Sequence, residues 1–151
     1  MVLIVEISRT DTFFTTITAS MNQEHIEKML VAALTEAASQ SIPIAVAIVD
    51  NGGHLVAFRR TEGCSFFGIE ASRNKAITAS QLKTPTHILA EIAQKVPELQ
   101  AALSKNPLVL TLVGGFPIIQ SGVTIGGLGV SGGDFIQDKT IGEKALQAIA
   151  L

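Results

Sequence analysis

Gly114-Gly-Phe-Pro-Ile-Ile-Gln-Ser-Gly-Val-Thr-Ile-Gly-Gly-Leu-Gly-Val-Ser-Gly-Gly133 is the stretch on which the fold of this chain turns. Its β-branched residues favour strands, and Ser121-Gly122 breaks them into a hairpin. More glycine is present than a turn needs. A glycine inside a strand packs no side chain, so it marks a bulge or a place where another backbone or a ligand comes close. Upstream, Pro43-Ile-Ala-Val-Ala-Ile-Val-Asp-Asn-Gly-Gly-His-Leu-Val-Ala-Phe58 repeats the scheme. Residues 44–50 are almost wholly apolar, as expected of a strand covered on both faces. Asn51-Gly52-Gly53 offers the positive φ of a tight turn, and His54 to Phe58 returns antiparallel.

Around these hairpins the sequence reads as helices. Ile26, Met29, Leu30, Ala33, Leu34 and Ala37 recur at intervals of three and four, an apolar stripe lasting until about Gln40. Ser20 and Gln23 have the spacing of a capping box at its start. Phe66 to Gln81 predicts a second, alanine-rich helix. A third runs from Thr86, read as its cap, to about Lys95, and Pro97 opens a short fourth. Leu108 to Val113 predicts a strand. The final helix runs to the C-terminus, with Asp138 or Thr140 as its cap. Residues 1–19 predict a strand or extended arm before a single domain over 20–151. The order is (β)-α-β-β-α-α-β-β-β-α. Hairpins dominate and no βαβ series appears, so an α+β antiparallel sheet with packed helices is expected.

Composition narrows the function. Of the 151 residues, 47% are hydrophobic and only 16% charged, and the formal net charge is −2. The surplus of apolar residues comes in strand-sized runs too short to cross a membrane, so burial between copies in a homo-oligomer is expected. No clustered basic face offers a footprint for nucleic acid. The doublet Arg59-Arg60 beside Glu62 reads as a solvated strand end. One cysteine, Cys64, excludes an intrachain disulfide and any multi-cysteine metal site. The N-terminal residues lack the basic segment and long apolar run of a signal peptide, which makes the cytoplasm the expected location.

The Ala-rich first helix, Ile48-Val-Asp-Asn-Gly-Gly-His-Leu-Val, Arg73-Asn-Lys-Ala-Ile-Thr-Ala, Pro85-Thr86, Gly114-Gly-Phe-Pro-Ile and Gly126-Gly-Leu-Gly-Val-Ser-Gly occur in one order and spacing. In these blocks the chain resembles the GlcG/HbpS-like haem-binding family, which includes the C-terminal domain of the PduO adenosyltransferase. The resemblance runs from about residue 20 to the end. It implies a profilin-like fold, a five-stranded antiparallel sheet flanked by helices. It also implies homo-oligomers, often octamers, and a small-molecule ligand, haem or a corrinoid, with an accessory role in diol (propanediol) or glycolate utilisation. Such a likeness speaks for the fold more directly than for the chemistry.

Among candidate site residues, His25 lies in the first turn of helix one at the flank of its stripe. A haem iron needs an axial donor and neutral imidazole supplies one, so His25 is the favoured metal ligand; the plainer reading is a surface histidine. His54 and His87 read as solvated and packed, and no two histidines have chelating spacing. Lys75, set among alanines, could hold a propionate or carboxylate or simply snorkel to water. Arg73 is a second candidate cation, unless it pairs with Glu70 one turn away. Gly115, Ser131 and Gly132 belong to glycine segments whose backbone amides could face an anion, although turn and bulge geometry explains most of these glycines. Beside a structural or regulatory accessory subunit without a ligand, two readings of the function stand. One is an oligomeric protein binding haem or a corrinoid at a subunit-edge pocket. The other is an enzyme acting on a small carboxylate or diol, with Lys75 and Asp50 as catalytic candidates.

Overall fold

A computed structural model describes residues 21–150. The strand or arm expected over residues 1–19 lies outside the described residues, as does Ser20. The chain runs through α1 (Gln23–Ser39), β1 (Ala45–Asp50), β2 (Leu55–Arg60), α2 (Phe66–Leu82), α3 (Thr86–Lys95), α4 (Pro97–Ser104), β3 (Gly115–Gln120), β4 (Val123–Ser131) and α5 (Phe135–Gln147). The two hairpins join through their inner strands in the order β2-β1-β4-β3, every pair antiparallel.

Both faces of this sheet are covered, which is why β1 is apolar at nearly every position. On one face Val46, Ile48, Ile118, Leu128 and Val130 meet the stripe of α1 and Ile141 and Ala145 of α5. On the other, Ala47 and Val49 pack against Ala76 of α2. Here the glycines of β4 matter. A Cβ on Gly127 would fall on the Ala76 carbonyl oxygen, and one on Gly129 on the Ser72 carbonyl oxygen. Helix α2 thus lies backbone to backbone on β4, and most of its buried residues are small: Gly68, Ala71, Ser72, Ala76, Ala79 and Ser80. The close approach expected from interior glycine is made by the chain's own helix.

The hairpin turns behave as read, with Gly53 at φ 84° and Ser121 and Gly122 at 51° and 77°. Three expectations need correction. The described residues form four strands, not five. The segment Leu108–Val113 is not a strand, because side chains take up its backbone groups. The Leu110 N–H donates to Thr78 Oγ1 (2.9 Å) and the Leu112 carbonyl accepts from Thr86 Oγ1 (2.6 Å). Caps also differ from those read. Asn22 caps α1, accepting from the His25 N–H at 3.0 Å. Thr86 is the first residue of α3 rather than its cap. Asp134 caps α5 in a capping box with Gln137, while Asp138 lies inside the helix with its carboxylate used elsewhere.

Candidate functional site

His25 occupies the first turn of α1, where the Asn22 cap holds its backbone. The half-buried imidazole lines a cleft of about 380 Å³. Pro117, Ile118, Ile119 and Ile125 of the β3–β4 hairpin form one wall, and Leu146 near the end of α5 and Ile149 just beyond it form another. Gln120 and Ser121 at the hairpin tip supply the polar margin. Because β3 is an edge strand of the sheet formed by the described residues, the cleft lies at the side of that sheet. Pro117 has no N–H to offer there, and proline is characteristic of edges that do not pair further. The volume lies within the usual range for small-ligand pockets, about 300–1,000 Å³, and the lining has their usual character: mostly apolar with few polar groups. A single imidazole in an apolar, edge-opening cleft suits a flat apolar macrocycle carrying a metal that needs an axial nitrogen.

The other candidates fall elsewhere. Lys75 of α2 is buried, with Nζ 2.8 Å from Asp138 Oδ2 and 2.8 Å from the Val130 carbonyl oxygen. The second carboxylate oxygen of Asp138 accepts the Gly133 N–H at 2.9 Å. Burial pulls the Lys75 ammonium below its ordinary pKa despite the charge and hydrogen bond of Asp138. Burial likewise raises the Asp138 carboxyl, against the opposing pull of Lys75 and Gly133. Both partners shift toward their neutral forms, so desolvation outweighs attraction in this pair. The carboxylate expected near Lys75 is therefore an internal one, and the cation is closed off from solvent.

Gly115, Ser131 and Gly132 are not among the residues lining the His25 cleft. A Cβ on Gly115 would meet the Lys75 carbonyl oxygen at 2.6 Å, and Ser131 pairs with Ala45 at the end of β4. Gly132 lies against the Pro43 carbonyl. Arg73 is exposed on α2, and no ion pair joins it to Glu70 among the described residues. His87 packs with its ring centroid 6.0 Å from that of Phe116.

Asp50 closes the β1–β2 turn. Its Oδ1 accepts the backbone N–H groups of Gly52 (2.8 Å) and His54 (3.0 Å) and lies 3.2 Å from His54 Nδ1. Partial burial pushes its pKa up, but these hydrogen bonds win and hold it below the ordinary 3.8. Lys75 and Asp50 thus belong to separate hydrogen-bond networks, and the structure does not bring them together. A carboxyl depressed in the folded state stabilises fully above pH 3.8, and the contribution fades as pH falls through the lower folded value. Asp50→Asn is accordingly expected to cost about 1 kcal/mol near neutral pH, a modest figure because the group is partly exposed. The deficit should close on acidification in denaturation curves taken across pH; a constant gap would contradict this role.

Residues 21–147 match the family described as haem degrading protein HbpS-like. The chain belongs to the HbpS-like family. Among its relatives in that family, the corrinoid adenosyltransferase PduO of Salmonella typhimurium is 35% identical over 119 residues, 78% of this chain and 35% of that protein. The chain thus spans about a third of PduO. Protein GlcG of Escherichia coli is 31% identical over 111 residues, 74% of this chain and 81% of GlcG. A crystal structure of a PduOC:haem complex superposes with a TM-score of 0.83 at 32% identity, covering 87% of this chain and 96% of that one.

The sequence reading missed Asp138 as the partner of Lys75 and missed the walls of the His25 cleft. One signal was available for Asp138. Together with Ile141 and Ala145 it lies on the buried stripe of α5, at offsets of three and seven, where a carboxylate requires a partner. Nothing comparable pointed to Ile119, Gln120 or Leu146, which meet His25 only through the tertiary arrangement.

Proposed function

We propose that this HbpS-like protein binds a tetrapyrrole, haem first among them, in the cleft between the β3–β4 hairpin and the end of α5, with His25 as the axial ligand to iron. The half-buried imidazole in an otherwise apolar, edge-opening cleft is the observation that carries this reading. The structure of PduOC in complex with haem, a relative sharing 32% identity, supports it. When bound, haem would supply an iron whose axial position accepts the imidazole nitrogen. Ile118, Ile119, Ile125, Leu146 and Ile149 would exclude water from the faces of the ring, and Gln120 and Ser121 would meet its polar margin. A corrinoid, also flat and axially ligated, is the second ligand in this class. Assembly of copies around such an edge pocket, up to an octamer, and an accessory role in diol or glycolate metabolism complete the proposal.

An enzyme using Lys75 and Asp50 has less support, since the internal carboxylate of Asp138 already takes the ammonium and the hairpin turn takes Asp50. Titration with haemin tests the main reading. Saturable binding with a Soret band displaced from that of free haem is expected. His25→Ala should lose that displacement and weaken binding at least tenfold, about 1.4 kcal/mol or more. Identical spectra for the two proteins would remove His25 from the site. Saturable uptake of cobalamin with no response to haemin would instead make the ligand a corrinoid.

A further inference from the structure

Four large apolar side chains stand in the open at the starts of two helices. Phe66 and Phe67 open α2 with 77% and 64% of their surface exposed, and Phe135 and Ile136 open α5 with 60% and 78% exposed. The sheet puts these starts at the same end of the molecule. Ala45 of β1 pairs with Arg60, the last residue of β2, and with Ser131, the last residue of β4. Each of these strands then leads through a short loop into its helix. The first turn of α2 also lies near the end of β4, since a Cβ on Gly68 would lie 3.8 Å from the Ser131 carbonyl oxygen.

We infer that this patch is a contact surface for a second copy of the same chain. Packing among the described residues does not account for the four residues, since none of them belongs to the core. With about 150–250 Å² for each large side chain, their exposures leave on the order of 500 Å² of apolar surface bare. Two such patches meeting would bury about 1,000 Å², the area at which specific interfaces begin.

Two backbone donors of this end already have partners within the subunit. The Ser65 hydroxyl accepts the Gly68 N–H, and Asp134 accepts the Gln137 N–H at 2.8 Å. Covering the helix starts therefore strands none of these donors. The Arg60 guanidinium is turned back onto the Cys64 carbonyl oxygen at 3.0 Å. What remains is a mostly apolar surface, with the Asp134 and Glu70 carboxylates exposed beside it, whose apolar part is complementary to itself.

This surface deepens the assembly part of the proposed function and is independent of the ligand. Sedimentation velocity of the haem-free protein tests it. The wild type should sediment as an assembly, and the double variant Phe67→Asp/Ile136→Asp should fall to no more than half that mass with an unchanged circular-dichroism spectrum. A milder pair, Phe66→Ser/Phe135→Ser, should show the same loss if the charged variant folds poorly. Wild type running as a single chain, or both variant pairs assembling as the wild type does, would overturn the inference. Because haem is absent throughout, a failed haemin titration leaves this result standing, and the reverse also holds.

Discussion

Lys75→Met is expected to destabilise the protein by about 3–5 kcal/mol, the usual cost of stranding one member of a buried ion pair. The Asp138 carboxylate would keep only the Gly133 N–H at 2.9 Å, and the Val130 carbonyl oxygen would lose its ammonium donor. For a domain of this size that corresponds to a fall in melting temperature of roughly 10 °C. Asp138→Leu should cost a similar amount, since it buries an unpaired ammonium. The combined variant Lys75→Met/Asp138→Leu is expected to recover most of the loss. Desolvation already pushes both groups toward their neutral forms, and an apolar pair of similar volume escapes that penalty.

The pH dependence has a definite sign. Asp138 binds its proton more tightly folded than unfolded, so stability falls as pH rises through its raised pKa. Without Lys75 to oppose it that shift grows, so the deficit of Lys75→Met should be widest at neutral pH and narrow on acidification. Thermal melts of the single and double variants across pH check both statements. A double variant no better than the worse single one would show that the ion pair itself, rather than the avoidance of stranded charge, holds α2 to α5.

Gly129→Ala is the second change with a large expected effect. The new methyl would fall on the Ser72 carbonyl oxygen and lie 2.7 Å from the Ala76 nitrogen, both in the backbone of α2. A flexible side chain could swing aside, but a hydrogen-bonded helix can only lift off the sheet. A loss of about 3 kcal/mol or more is expected, at or beyond the upper end for overpacking. It would be a large share of the 5–15 kcal/mol that holds a typical domain folded. Gly122→Ala provides the contrast. Nothing lies within 4 Å of a Cβ there, so only the positive φ of 77° opposes the substitution. That costs about 1–2 kcal/mol. Chemical denaturation of the two variants side by side measures the difference; equal losses would mean that α2 does not rest on β4 as closely as the structure has it.

These predictions trace what was legible in the residues. The α1 stripe could be read because Ile26, Met29, Leu30, Ala33 and Ala37 face one core, and a helix has only one period with which to face it. Both hairpins were legible for the same local reason, the coincidence of β-branched runs with residues able to take positive φ. Leu108–Val113 misled because its composition suits a strand, whereas pairing depends on whether a neighbouring strand reaches it. Here Thr78 and Thr86 reach it first. The start of α5 misled differently. The cap was read at Asp138 or Thr140, but Asp134 takes that place, and the position of Lys75, 63 residues earlier, assigns Asp138 to another task.

By itself the sequence determined the helices, the two hairpins and the places where backbone must come close, since each depends on neighbours within a few residues. With the family resemblance, it also offered His25 as the candidate imidazole ligand. Only the tertiary structure decided that the close approach at Gly127 and Gly129 belongs to α2, that Lys75 faces Asp138, and that His25 shares a cleft with Ile119 and Ile149. The physical reason is the same in each case. Short-range sterics and periodicity set the elements, whereas the partner of a buried group is chosen by packing between segments far apart in the chain.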